Sequence, residues 1–109
     1  MKRLAVMLLT VAIGILVMPH AARADAGPDG AVIYKQKCAM CHGPDGKGQT
    51  PVGKSMHVKD LGSEEVQSMK SEELDKIISD GKGKMPAFKS KLDQASIDAV
   101  IAFIRTLKK

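Results

Sequence analysis

Cys38-Ala39-Met40-Cys41-His42 places two thiols three positions apart with an imidazole directly after the second, and no other cysteine occurs in the 109 residues. Cys-x-x-Cys-His is the attachment motif for c-type haem. Two thiols one helical turn apart can add across the two vinyl groups of one porphyrin. The adjacent His42 is then held under the ring, where its imidazole can ligate iron as the proximal ligand. Two other chemistries compete for the same residues. A thioredoxin-like dithiol needs a βαβ context, and no segment reads as a strand. A zinc site wants four Cys or His ligands. Past residue 24 the chain offers Cys38, Cys41, His42 and His57, and His42 is cramped beside Cys41.

The second axial position separates an electron carrier from an open-site enzyme. Its candidates are Met56, His57, Met69 and Met85, with Met40 enclosed in the motif itself. Chain reach does not choose, because even Met56 is far enough along the chain to cross the ring. Local context favours Met85. It lies in Gly81-Lys82-Gly83-Lys84-Met85-Pro86, too rich in Gly and Pro for helix, and Pro86 biases the preceding residue away from helical geometry. Its thioether can therefore point inward from a stiff loop. Met69 reads as core packing and His57 as a surface histidine. A vacant position is the remaining alternative.

Those residues need a scaffold, and the composition says how large one can be. At 44% hydrophobic, 27% charged and 3% aromatic, with no Trp, the chain has one domain's worth of apolar side chains and few large ones. Domains of this size usually need a disulfide, a metal or a cofactor to be stable. The first 24 residues read as a secretory leader: a basic start at Lys2-Arg3, an apolar run from Leu4 to Val17, then Ala22-Arg23-Ala24 before the cut. The run is shorter than the ~20 residues of a membrane span. The alternative is a retained anchor. Cleavage removes three of 17 basic groups and no acid, leaving 14 against 12, a net charge of +2 for residues 25–109. A nucleic-acid-binding domain carries a stronger basic excess, so that class is excluded. Export places the domain in a periplasm or, alternatively, a thylakoid lumen.

Within 25–109 the patterning is helical. Pro28 suits the first turn of a helix that carries Ala31, Tyr34 and Cys38 along one side. Gly43 to Gly53 reads as loop. Ser63 and Ser71 read as N-caps of two short helices, the second presenting Leu74, Ile77 and Ile78 and stopping at Gly81. Asp93 or Ser96 opens a last helix with Ile97, Val100, Ile101, Ile104 and Leu107 at helical spacing. The fold class is all-α.

With these residues in hand, the chain resembles the monohaem class I cytochromes c, and among them the small bacterial and photosynthetic-type members. The resemblance spans nearly all of 25–109. It rests on Gly30-x-x-x-Tyr34-x-x-x-Cys38-x-x-Cys41-His42-Gly43, on Gly81-x-x-x-Met85-Pro86-Ala87-Phe88, and on Val100-Ile101-Ala102-Phe103-Ile104. It implies four or so short helices wrapped around one haem bound covalently through Cys38 and Cys41, with iron held by His42 and Met85. It also implies that Gly30 lets the first helix cross the last closely, beside Phe103. A proline carbonyl, from Pro51 or Pro44, would accept a hydrogen bond from the His42 imidazole. The aromatic residues are sparse for this family, so haem packing would lean on Val52, Leu61, Leu74, Ile77 and Leu92.

With both axial positions filled, the iron has no place for substrate, and the thioether raises its potential. The function implied is a soluble, monomeric one-electron carrier between redox proteins of a respiratory or photosynthetic chain, rather than an enzyme. The alternative is a haem protein with a labile sixth ligand that binds small molecules or acts as a peroxidase. Lys82, Lys84, Lys89 and Lys91 flank the Met85 loop and would steer acidic partners to the haem edge.

Overall fold

The structure is a computed structural model that describes residues 27–109 together with Gly14. The leader assigned to 1–24, and the proposed cut before Asp25, lie outside the described residues. Six helices follow in order: α1 (Gly30–Lys37), α2 (Ala39–His42), α3 (Pro51–Ser55), α4 (Glu64–Gln67), α5 (Ser71–Asp80) and α6 (Gln94–Thr106). Among the described residues there is no strand, only an isolated bridge between Lys82 and Met85. The all-α expectation therefore holds, with more and shorter helices than the four or so anticipated. No helix of the described residues is long and apolar enough to cross a membrane.

Side-chain caps set most helix starts. Asp29 accepts from the N–H groups of Ala31 and Val32 at 3.0 and 3.3 Å, which places Pro28 before the helix and not in its first turn. Ser63 caps α4 through Val66 N–H, and Asp93, not Ser96, caps α6, accepting from Ser96 N–H at 2.8 Å. Ser71 does not cap α5. It is the first helical residue, with Lys70 in the cap position. Its hydroxyl instead accepts from Arg105. Two further readings change. The first helix breaks at Cys38, so Cys38 is a joint between α1 and α2. The expected loop from Gly43 to Gly53 contains the start of α3, capped by Thr50 and opened by Pro51.

The core lies between α6 and the chain around it. Ile97, Val100, Ile101 and Ile104 pack with Val66, Leu74, Ile78 and Phe88, each such side chain stabilising by roughly 1.5–3 kcal/mol when fully buried. α1 crosses α6 at Gly30, and Tyr34 packs on Phe103 with ring centroids 4.8 Å apart. The segment after α4 is tied down by α6: Arg105 donates to Gln67 O at 2.9 Å, Met69 O at 2.6 Å and Ser71 Oγ at 3.3 Å. Gln67 in turn donates its amide to Leu61 O and Ile104 O. Arg105→Ala leaves two part-buried carbonyls without their charged donor, a loss of about 2 kcal/mol. Denaturant unfolding of the holoprotein should show a lowered midpoint.

Candidate functional site

A cavity of about 750 Å³ opens beside the Cys38-to-His42 motif, within the ~300–1,000 Å³ that encloses a cofactor-sized ligand. The motif forms one wall. Leu61, Val66, Leu74, Ile77, Ile78, Val100 and Ile104 supply apolar surface, and Met85, Pro86 and Phe88 close another side. A smaller groove of about 390 Å³ lies between α5 and α6, bordered by Glu72, Asp75, Asp98 and Arg105 and by no residue of the motif.

The turn from Cys38 to His42 is a short helix: the N–H groups of Cys41 and His42 both donate to Cys38 O, at 3.3 and 3.0 Å. It brings both sulfurs and the imidazole to the same cavity. The two cysteines are free thiols, both half-buried. Burial, reinforced by Cys41, pushes the Cys38 thiol up to about 11, so it stays protonated until it reacts. Burial lowers the pKa of His42, which keeps the imidazole in the neutral form a metal needs. Its Nδ1 is fully buried and has no hydrogen-bond partner among the described residues. A neutral, buried imidazole with an unsatisfied ring nitrogen, beside two unpaired thiols in an apolar cavity, is a donor set that fits a covalently held haem.

The same orphan nitrogen corrects one expectation. Neither Pro51 nor Pro44 accepts a hydrogen bond from His42. Pro51 opens α3, and carbonyls in a helix's first turn point along its axis to later N–H groups. Tyr34 is 1% exposed and donates its hydroxyl to Gly43 O at 2.6 Å. Its ionisation is held far above the usual range, first by burial and then by Cys38 and Asp45, so it remains a donor.

Met85 borders the cavity from a tightly closed turn. Its N–H donates to Lys82 O at 3.0 Å and its carbonyl accepts from Lys82 N–H at 3.1 Å. Gly81, with φ +77, lies so close beneath that a Cβ there would sit 2.6 Å from Met85 O. Phe88 N–H donates to Ile78 O, and Lys89 N–H to Ser79 O, fastening the loop to α5. The rival candidates also border the cavity: Met56, His57 and Met69 are all in its lining. Met69 packs against the core as Met85 does, Met56 is 40% exposed, and His57 takes a left-handed φ of +54.

Sequence reasoning named Met56 and His57 as ligand candidates but missed Ser55, Val58 and Lys59, which complete that wall. The signal was Gly53: a Cβ on it would lie 2.3 Å from Cys41 O, so α3 rests directly on the motif and carries the next residues to the cavity. Of the expected aliphatic walls, Leu61, Leu74 and Ile77 line the cavity and Val52 and Leu92 do not. The lysines also regroup. Lys82 and Lys84 border the cavity, joined by Lys37 and Lys59, and among the described residues no carboxylate does. Lys89 instead faces Asp80 at 3.7 Å, and Lys91 lies over the Phe88 ring. Lys59 is partly neutralised by Glu65.

Residues 25–104 match the profile of the family described as cytochrome C oxidase, cbb3-type, subunit III. The chain is 30% identical over 103 residues to cytochrome c6 of Nostoc sp. (strain PCC 7120 / SAG 25.82 / UTEX 2576), covering 94% of this chain and 90% of that protein. It is 29% identical over 86 residues to the cbb3-type cytochrome c oxidase subunit CcoP of Azospirillum brasilense, across 77% of this chain and 29% of that longer protein. Among solved structures, the KustC0563 c-type cytochrome superposes with a TM-score of 0.71 at 31% identity, over 75% of this chain and 100% of that one.

Proposed function

The chain belongs to the cytochrome c family, carrying haem c covalently, and from that membership we propose that it is an exported one-electron carrier whose iron is held between His42 and Met85. Bound in this cavity, haem supplies a one-electron couple that needs no substrate at the metal. Cys38 and Cys41 hold it through thioethers, so that it is not lost outside the cell. His42, kept neutral by burial, and Met85 would hold the iron. The observation that carries the assignment is the doubly bonded Lys82–Met85 turn, fastened to α5 on its far side, since little rearrangement on electron transfer requires a ligand loop that stays put.

The test compares ferrous wild-type holoprotein with Met85→Ala, Met56→Ala and Met69→Ala at neutral pH. Met85→Ala should take up carbon monoxide stoichiometrically, whereas the other three proteins should not. Rapid uptake by the wild type would replace this reading with a haem protein of labile sixth ligand. Pigment retained on a denaturing gel, in the peptide containing residues 38–42, checks the thioether attachment.

Partner docking is proposed at the cavity mouth. Among the described residues, Lys37, Lys82 and Lys84 are the cations there that form no ion pair, and Met40, 75% exposed, and Met56 give it an apolar centre. Acidic redox partners suit such a surface, and steering of this kind raises association rates by 10-fold or more at low salt. Bimolecular electron transfer to an acidic partner should slow severalfold between ~0.01 and ~0.2 M salt as screening sets in. A salt-independent rate would remove the docking assignment while leaving the ligation untouched. The compartment proposed is the periplasm.

A further inference from the structure

Three successive main-chain carbonyls at the end of the haem-attachment turn each receive a hydrogen bond from outside it. Thr50 Oγ1 donates to Cys41 O at 2.9 Å, Gly48 N–H to His42 O at 2.7 Å, and the Tyr34 hydroxyl to Gly43 O at 2.6 Å. Carbonyls in the last turn of a helix lack intrahelical partners, and water satisfies them where they are exposed. Here the donors are drawn from α1 and from the segment that leads into α3. Thr50 spends the same oxygen twice, also accepting from Gly53 N–H at 2.9 Å as the cap of α3. The imidazole, by contrast, has no acceptor at its buried Nδ1 among the described residues. An acceptor on the second ring nitrogen is the usual way a metal-bound histidine is oriented.

We propose that Tyr34 and Thr50 are positioning residues for His42, fixing the peptide frame on either side of the ligand and thereby setting the reduction potential of the iron it holds. The inference rests on His42 as the axial ligand. Its physics is local. Tyr34→Phe keeps the ring against Phe103 but removes the shorter of the two hydrogen bonds to the buried Gly43 carbonyl, leaving it only Gly46 N–H at 3.1 Å. The less compensated negative end of that carbonyl, one residue from the ligand, favours the more positive oxidation state of the metal. Thr50→Val takes the side-chain donor from Cys41 O on the other side, whereas Thr50→Ser retains the hydroxyl.

Spectroelectrochemical titration of the four holoproteins, with proton NMR of the His42 ring, tests the assignment. Tyr34→Phe and Thr50→Val should lower the midpoint potential and displace the ring resonances. Thr50→Ser should coincide with the wild type. Wild-type potentials and resonances in both hydroxyl-free variants would overturn the inference, as would a Thr50→Ser shift as large as that of Thr50→Val. Should Tyr34→Phe fail to retain pigment, the Thr50 pair decides. The ligation itself is read from the wild type alone: a wild-type spectrum without histidine-ligated haem fails the functional reading, whereas an unshifted variant series fails only this one.

Discussion

Cys38→Ala combined with Cys41→Ala should yield a colourless chain that has lost most of its helical circular dichroism. The reason is the ratio between the cavity and the core around it. The fully apolar core comprises eight side chains, and much of their inner surface faces a cavity of about 750 Å³. At ~24 cal/mol per Å³ of cavity volume, leaving that space unfilled would cost up to ~18 kcal/mol. The true cost is smaller because the mouth is open to water. Even a third of it, ~6 kcal/mol, would cancel the low end of the ~5–15 kcal/mol by which domains are stable. Collapse is the other response, but the walls at Met85 and His42 belong to segments held by main-chain hydrogen bonds on their far sides, so closing them breaks those bonds. Haem attachment and folding are therefore one event, as with metal-dependent small domains. The double variant is compared with wild type by far-ultraviolet circular dichroism in the absence of haem-maturation machinery and in its presence. Native-like helicity in the double variant would show that the polypeptide core suffices alone.

What the sequence disclosed depended on how local each signal was. Cys38, Cys41 and His42 carry their chemistry in their spacing, and Met85 is set apart by glycines and a proline within six residues of chain. α6 declares itself through Ile97, Val100, Ile101 and Ile104. The break at Cys38 could not be read in the same way, since periodicity carries on through a joint that changes only the backbone direction. α3 was hidden for a related reason. Pro51 and Gly53 look like loop residues, yet Pro51 opens a helix behind the Thr50 cap, and Gly53 is glycine because Cys41 O leaves no room for a Cβ. The proline hydrogen bond to His42 and the placing of Lys89 and Lys91 at the cavity failed because both depend on where distant segments end up. No pattern within either segment records that.

The crossing of α1 over α6 supplies the second large effect. Gly30→Ala should lower stability by about 3–5 kcal/mol. A Cβ on Gly30 would stand 1.9 Å from Ala99 O and 2.5 Å from its carbonyl carbon, both backbone atoms within α6 that no rotamer change can move. Relief requires the two helices to part by roughly 1 Å or more, beyond the gap at which packed atoms forfeit up to half of their attraction. The nearest losses follow along α1: Tyr34 draws away from Phe103, an aromatic pair worth ~0.5–1.5 kcal/mol beyond its buried area, and Ile33 from the core it borders. Overpacking in a core ordinarily costs ~1–3 kcal/mol, and the rigidity of both partners here puts this site above that range. Tyr34 also donates to Gly43, so the shift reaches the haem-binding turn, and the potential should move with the stability. Gly27→Ala is the matched control, since among the described residues nothing lies within 4 Å of its added methyl and a surface change of that kind stays within ~0.5 kcal/mol. Chemical denaturation of the two holoproteins beside the wild type decides it. If Gly30→Ala unfolds at the same denaturant concentration as Gly27→Ala, the helices cross with more room than a 1.9 Å approach to Ala99 O allows, and α1 cannot be what holds Tyr34 against the turn.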